Sequence, residues 1–231
     1  MLEIRRAADR GSASFGWLNS RHTFSFGHYY DPKQMGFSAL RVINDDTVRP
    51  GAGFETHGHQ DMEIISYVLE GEIAHKDSAG NIKRLPAGEF QLMSAGKGIY
   101  HSEFNASQEA DLKFLQIWIQ PNQFGGEPGY QQKDFGQQDG LTPVITPTGE
   151  NGTLLMKQDA RLSQLILPVG ESLTISQQIG RRFYIHLIHG TLTVDTESLA
   201  PGDGLKVEQL HELTVSNSGE VPVTALVFDL P

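Results

Sequence analysis

The chain has 231 residues, a net charge of −10 and no cysteine. Without cysteine there are no disulfides, thiolate metal sites or thiol redox switches, and the acidic balance argues against direct nucleic-acid binding, where basic patches supply most of the affinity. No apolar run approaches the ~18 residues of a membrane span, and residues 1–9 carry charges but no apolar signal-peptide core, so a cytoplasmic protein with no membrane contact is expected.

Residues 1–50 read as strands and turns, with Trp17, Leu18, Phe24 and Phe26 as core candidates and His22 and His28 as structural histidines. Residues 39–46 read as a strand running into a turn, and the turn at 49–53 delivers the chain to His57-Gly58-His59. A strand at 63–70 ends at Gly71, residues 72–77 follow as its hairpin partner, and residues 78–81 form a turn. His75 alternates with polar neighbours and is expected to face solvent. A turn at 86–89 and a strand at 90–93 lead into the glycine-rich run 94–98, whose glycines permit tight folding, and then into His101-Ser102-Glu103. Residues 112–119 read as a buried strand, and residues 121–152, rich in Gln, Gly and Pro, as a linker.

The second half echoes the first. With Gly71 set against Gly190, Gly51 falls on Gly170, and the Pro201-Gly202-Asp203-Gly204 turn echoes the one at 86–89. His57 then falls on Ser176, His59 on Gln178 and Glu63 on Arg182, so the framework recurs and the ligand types do not. His186, His189 and His211 form no i, i+2 pair. A final buried strand spans 223–230. Short strands bounded by turns point to an all-β protein, a β-sandwich or jelly-roll barrel present in two tandem copies.

The chemistry concentrates in the two i, i+2 pairs. On a strand, such residues share a face and stand about 6.6 Å apart, and a neighbouring strand lies at roughly 4.8 Å. Two paired strands would therefore gather three imidazoles and a carboxylate around one centre, a metal site with positions left open for water, substrate or dioxygen. Mn, Fe(II), Co, Ni, Cu and Zn all suit such ligands.

The sequence Gly51…His57-Gly58-His59…Glu63…Gly71, then Pro86-Ala87-Gly88…His101…Asn105, resembles the two cupin motifs, with the second stretched. The stretched form, together with His22-Thr23-Phe24-Ser25-Phe26 and Tyr29-Tyr30-Asp31-Pro32, resembles the pirin family. The resemblance implies a bicupin with an N-terminal metal-binding cupin domain at 1–125. A linker and a C-terminal cupin-like domain lacking metal ligands would then occupy 126–231. It implies one divalent ion per chain, Fe(II) favoured, held by His57, His59, His101 and Glu103. Glu63 would then either orient a ligand histidine or make a salt bridge. The implied activity is that of a quercetin 2,3-dioxygenase: a flavonol ring is opened with O2 and carbon monoxide is released. Glu103 would take the flavonol hydroxyl proton. Phe24, Phe26 and Phe54 would either wall a pocket for the planar substrate or belong to the barrel core. The alternative is a non-catalytic, metal-dependent regulatory module that binds a protein partner, as a transcriptional co-regulator or a modulator of a metabolic enzyme.

Overall fold

A computed structural model describes residues 1–176 and 178–231. Strands dominate, the described residues contain only short 3-10 turns as helices, and none is long and apolar enough to cross a membrane.

The chain forms two units. One comprises 11–136 with 156–158, and the other 1–10, 137–155 and 159–231. Each is built from a seven-stranded and a four-stranded sheet, the cupin architecture expected from the sequence. The boundary differs from the expected break between 125 and 126. The Leu2–Arg5 strand pairs with Gly204–Glu208 and so belongs to the second unit. Within the expected linker, the Gly129–Asp134 strand pairs with Glu89–Ser94 and extends the first unit's large sheet, and Gly140–Thr146 is a strand of the second. Polar composition concealed these strands because they lie at or near sheet edges.

The hairpin expected between 63–70 and 72–77 does not form. Gly71, at φ +84°, turns the chain from one sheet into the other, and the Glu72–Asp77 strand pairs with Ile99–Asn105 and Ile82–Pro86. A Cβ at Gly71 would crowd the Asp111 carbonyl and Leu112. Gly190 repeats this, with φ +83° and a Cβ crowding Pro222 and Val223.

A second repeated feature supports internal duplication. Asn105 donates to the carbonyls of Val48 and Ala110, and its oxygen accepts from the Ser107 N–H. Asn217 donates to the carbonyls of Leu167 and Val221 and accepts from the Gly219 N–H.

The two interiors differ in chemistry. In the second unit one apolar cluster includes Ile175, Leu213 and Val215, on the strand pair matching the one that carries His57 and His101 in the first. In the first unit the apolar residues form separate clusters, with a polar layer between them. Along Glu63–Glu70, Ile64 belongs to one cluster and Val68 to the other, and Ser66 lies between on the same face. Along Leu112–Ile119, Gln116 likewise lies between Phe114 and Trp118. Gln91, Asp46, His75, His101 and Glu103 are buried as well.

Asp46 shows what this layer costs. Burial, reinforced by the charges of Asp45 and Glu103 and only partly offset by a bond from Ser20, pushes its carboxyl up to about 7. Below the unfolded value near 3.8 both states hold the proton; between there and about 7 only the folded state does. Its contribution to stability is therefore complete at low pH and is lost as pH rises through 7. The shift corresponds to an effect on the order of 4 kcal/mol. Asp46→Asn is expected to flatten this slope, making metal-free protein more stable than wild type at pH 8 but not at pH 4, as read by denaturant unfolding at the two pH values.

Candidate metal centre

The Gly53–His59 and Ile99–Asn105 strands pair antiparallel, with His57 directly opposite His101. A register shift between His101 and Glu103 sets Glu103 against Phe54; such a bulge re-aims side chains and is common beside functional sites. On the other side of the same strand, Glu103 faces His75 and His101 faces Asp77. Close strand approach requires the glycine at 53: a Cβ there would overlap the Glu103 carbonyl and the Phe104 Cα. Gly53→Ala is expected to destabilise the fold by ~1–3 kcal/mol and to weaken metal binding by displacing the strand that carries His57. Thermal unfolding with and without metal measures both effects.

The three expected histidines come together. Ring centroids are 4.8 Å apart for His57 and His59, 4.5 Å for His57 and His101, and 4.9 Å for His59 and His101. One ring nitrogen from each lies within 4.8 Å of the other two. Glu103 instead falls in an overlapping, fully buried group with His75 and His101, also within 4.8 Å. The expected four residues are thus distributed over two groups that share His101.

Proton placement favours a cation. The His57 Nδ1–H is directed at the Glu55 carbonyl at 2.7 Å, which leaves Nε2 as a lone pair in the neutral ring. His59 Nε2 and both His101 nitrogens are buried with no hydrogen-bond partner among the described residues. Burial, with the neighbouring His101 and His57, pushes His59 down to about 4. Burial, with His57 and His75, pushes His101 down to about 3. Neutral, desolvated imidazoles lacking partners beside a carboxylate fit a first-row divalent cation.

Glu103 is held from both sides: Ser66 Oγ donates to Oε1 at 3.1 Å and Gln116 Nε2 to Oε2 at 3.2 Å. Sequence reasoning missed these two. Their signal is a polar residue at an inward position of an otherwise apolar strand. It also misplaced His75, which is 1% exposed rather than solvent-facing. His75 Nε2 lies 3.0 Å from Asp77 Oδ2, and the ring packs on Tyr130 with centroids 4.8 Å apart. Burial alone would raise the Asp77 carboxyl, but bonds from His75 and Asn81 outweigh it and hold the group below its ordinary value. Glu63 is buried and accepts from Ser94 Oγ and the Lys157 N–H, so its bonds anchor the start of its strand rather than a ligand histidine.

Aromatic rings flank the histidines. Trp118 stands edge-on to His59 at 5.0 Å and to Phe26 at 5.3 Å. A concavity of about 590 Å³ opens beside His57, walled by Trp17, Phe54 and Phe104. Of the aromatics considered from sequence, Phe54 lines this opening, Phe26 backs Trp118 and Phe24 is buried.

Comparison with known proteins also matches the two halves of the chain separately. A family model described as pirin matches residues 3–119, and one described as the quercetinase C-terminal cupin domain matches residues 143–230. The chain is 46% identical over 233 residues to the quercetin 2,3-dioxygenase of Escherichia coli K12, covering 100% of this chain and 99% of that one. It is 39% identical over 220 residues to a pirin-like protein of Caulobacter vibrioides, covering 94% of each. The crystal structure of the bacterial pirin YhhW from Escherichia coli in complex with nickel(II) matches with a TM-score of 0.97 at 44% identity, covering 100% of this chain and 99% of that one. With a matching family model over its first half and relatives aligned along nearly their whole length, the chain belongs to the pirin family.

Proposed function

We propose that this protein is a metal-dependent dioxygenase that opens the ring of flavonols such as quercetin with O2 and releases carbon monoxide. The reading is carried by the unpartnered imidazole nitrogens of His59 and His101, grouped with His57, which itself lines an aromatic-walled opening. The name of the E. coli relative supports the substrate class. His57, His59, His101 and Glu103 are the proposed ligands of one divalent ion. Fe(II) is the favoured ion, and the nickel-bound pirin supports a site that accepts other first-row ions. When bound, the ion supplies Lewis acidity at the flavonol hydroxyl and open coordination positions.

The chain's own residues do the rest. Trp17 and Phe54 offer apolar faces to a planar ring system at the mouth. Glu103 takes the hydroxyl proton, and Ser66 and Gln116 hold its carboxylate in place for that transfer. Loss of the proton makes the ring electron-rich, so it adds O2; carbon monoxide then leaves and the ring opens. The buried polar layer is bounded by apolar clusters, which limits access of bulk water to the reacting atoms.

The test is aerobic incubation of metal-loaded protein with quercetin, following flavonol loss, O2 uptake and carbon monoxide together. Equal stoichiometry of the three is expected. Retained metal with no turnover of any flavonol would overturn the enzyme reading and favour the regulatory module.

A further inference from the structure

The first unit contains a buried histidine that the dioxygenase reading does not use. His75 and Asp77 both have fully buried side chains, and Nε2 and Oδ2 are 3.0 Å apart. Asp77 is itself fixed. Its Oδ1 accepts from the Ala79 and Asn81 N–H groups at 3.0 Å, and the Asn81 amide donates to both of its oxygens. A carboxylate anchored this way accepts the Nε2 proton, and the neutral form of the ring then carries its lone pair on Nδ1. That Nδ1 is buried with no partner among the described residues. Burying a polar nitrogen without a partner is unfavourable. A carboxylate that holds one imidazole nitrogen while the other points at a cation is the usual support of a metal-bound histidine.

The geometry points to a second, inner cation position formed by His75, His101 and Glu103. It shares His101 and Glu103 with the proposed outer position, so a single ion occupies one or the other. All three residues are buried, and one ligand-type atom from each lies within 4.8 Å of the others. Metal–ligand bonds near 2.1 Å hold donors up to ~4.2 Å apart, so closure by about half an ångström completes the site. The cation class is the one that suits imidazole with carboxylate: Co(II), Zn(II), Ni(II) or Fe(II). The inner position retains the ion when His57 and His59 do not hold it. This inference rests on the reading of His101 and Glu103 as metal-directed.

The probe is Co(II), titrated into metal-free full-length protein and followed by calorimetry and visible absorption. The His57→Gln/His59→Gln variant should still bind one Co(II), more weakly than wild type. Adding Asp77→Asn should weaken that binding a further ~10–100-fold, the usual effect of losing a group that orients a ligand. The amide keeps an oxygen for Ala79 and Asn81 but donates to His75 Nε2, which moves the ring proton to Nδ1 and removes the lone pair. No Co(II) binding by the double variant, or binding that Asp77→Asn leaves unchanged, would overturn the proposal. If the double variant does not fold, His57→Asn/His59→Asn takes its place in the same comparison: Co(II) binding that Asp77→Asn weakens supports the inner position, and binding that is absent or unchanged by Asp77→Asn overturns it. Wild-type quercetin turnover is read separately. Its absence would overturn the dioxygenase reading and leave the inner position standing.

Discussion

Glu103→Gln, verified by elemental analysis to carry its ion, is expected to lose ring-cleavage turnover by ~10²–10⁴-fold, the usual cost of removing a positioned general base. An amide cannot accept the flavonol proton at neutral pH. The surroundings tolerate the change: the amide oxygen can accept from Gln116, and the Ser66 hydroxyl can rotate to accept from the new amide N–H2. Thermal stability should therefore stay near wild type, which separates lost chemistry from lost structure. Wild-type turnover in the loaded variant would leave Glu103 as a ligand only.

His101→Ala is expected to abolish metal binding. His101 is the histidine common to both groups of ligand-type residues and is 1% exposed. Its loss should exceed the ~10–100-fold effect of losing a group behind a ligand. Without metal the variant should be no less stable for lost hydrogen bonds, because neither ring nitrogen has a partner to lose. With metal at a hundredfold excess over the wild-type Kd, wild type should gain about 2.7 kcal/mol from binding and the variant nothing. Melting curves across a metal titration read this directly. A melting temperature in the variant that still rises with metal as in wild type would remove His101 from the ligand set.

Much of this was legible in the residues. The H-x-H and H-x-E spacings fix which side chains share a face once the segments are strands, and the strands at Leu112–Ile119 and Val223–Leu230 begin and end where their apolar runs do. The glycine correspondence of Gly71 with Gly190 exposed the duplication because both positions need a left-handed turn against a neighbouring strand. The matching roles of Asn105 and Asn217 escaped because intervening turns differ in length, so one fixed offset cannot align both pairs.

What stayed hidden depends on long-range pairing. His75 alternates with Ala74 and Lys76 like a surface residue. Only its pairing across from Glu103 shows that it faces inward, and a period of two cannot say which face is buried when both carry polar groups. Ser66, Gln91 and Gln116 look like interruptions of apolar strands until the strands are assembled. Then they lie between two apolar clusters, in the layer where the ligand-type groups meet. The edge strand at 129–134 was concealed by composition, since an edge strand needs little apolar surface, and the strand at 140–146, one in from an edge, was absorbed into the same polar stretch.

The most direct test is an activity titration. Metal-free protein is loaded anaerobically with increasing Fe(II), then mixed with quercetin and O2, and the initial rate is plotted against ions added per chain. The account predicts a linear rise that stops at one equivalent, with carbon monoxide produced in proportion throughout. A rate that keeps rising toward two equivalents, or that stays at the metal-free level when one ion is bound, would contradict it.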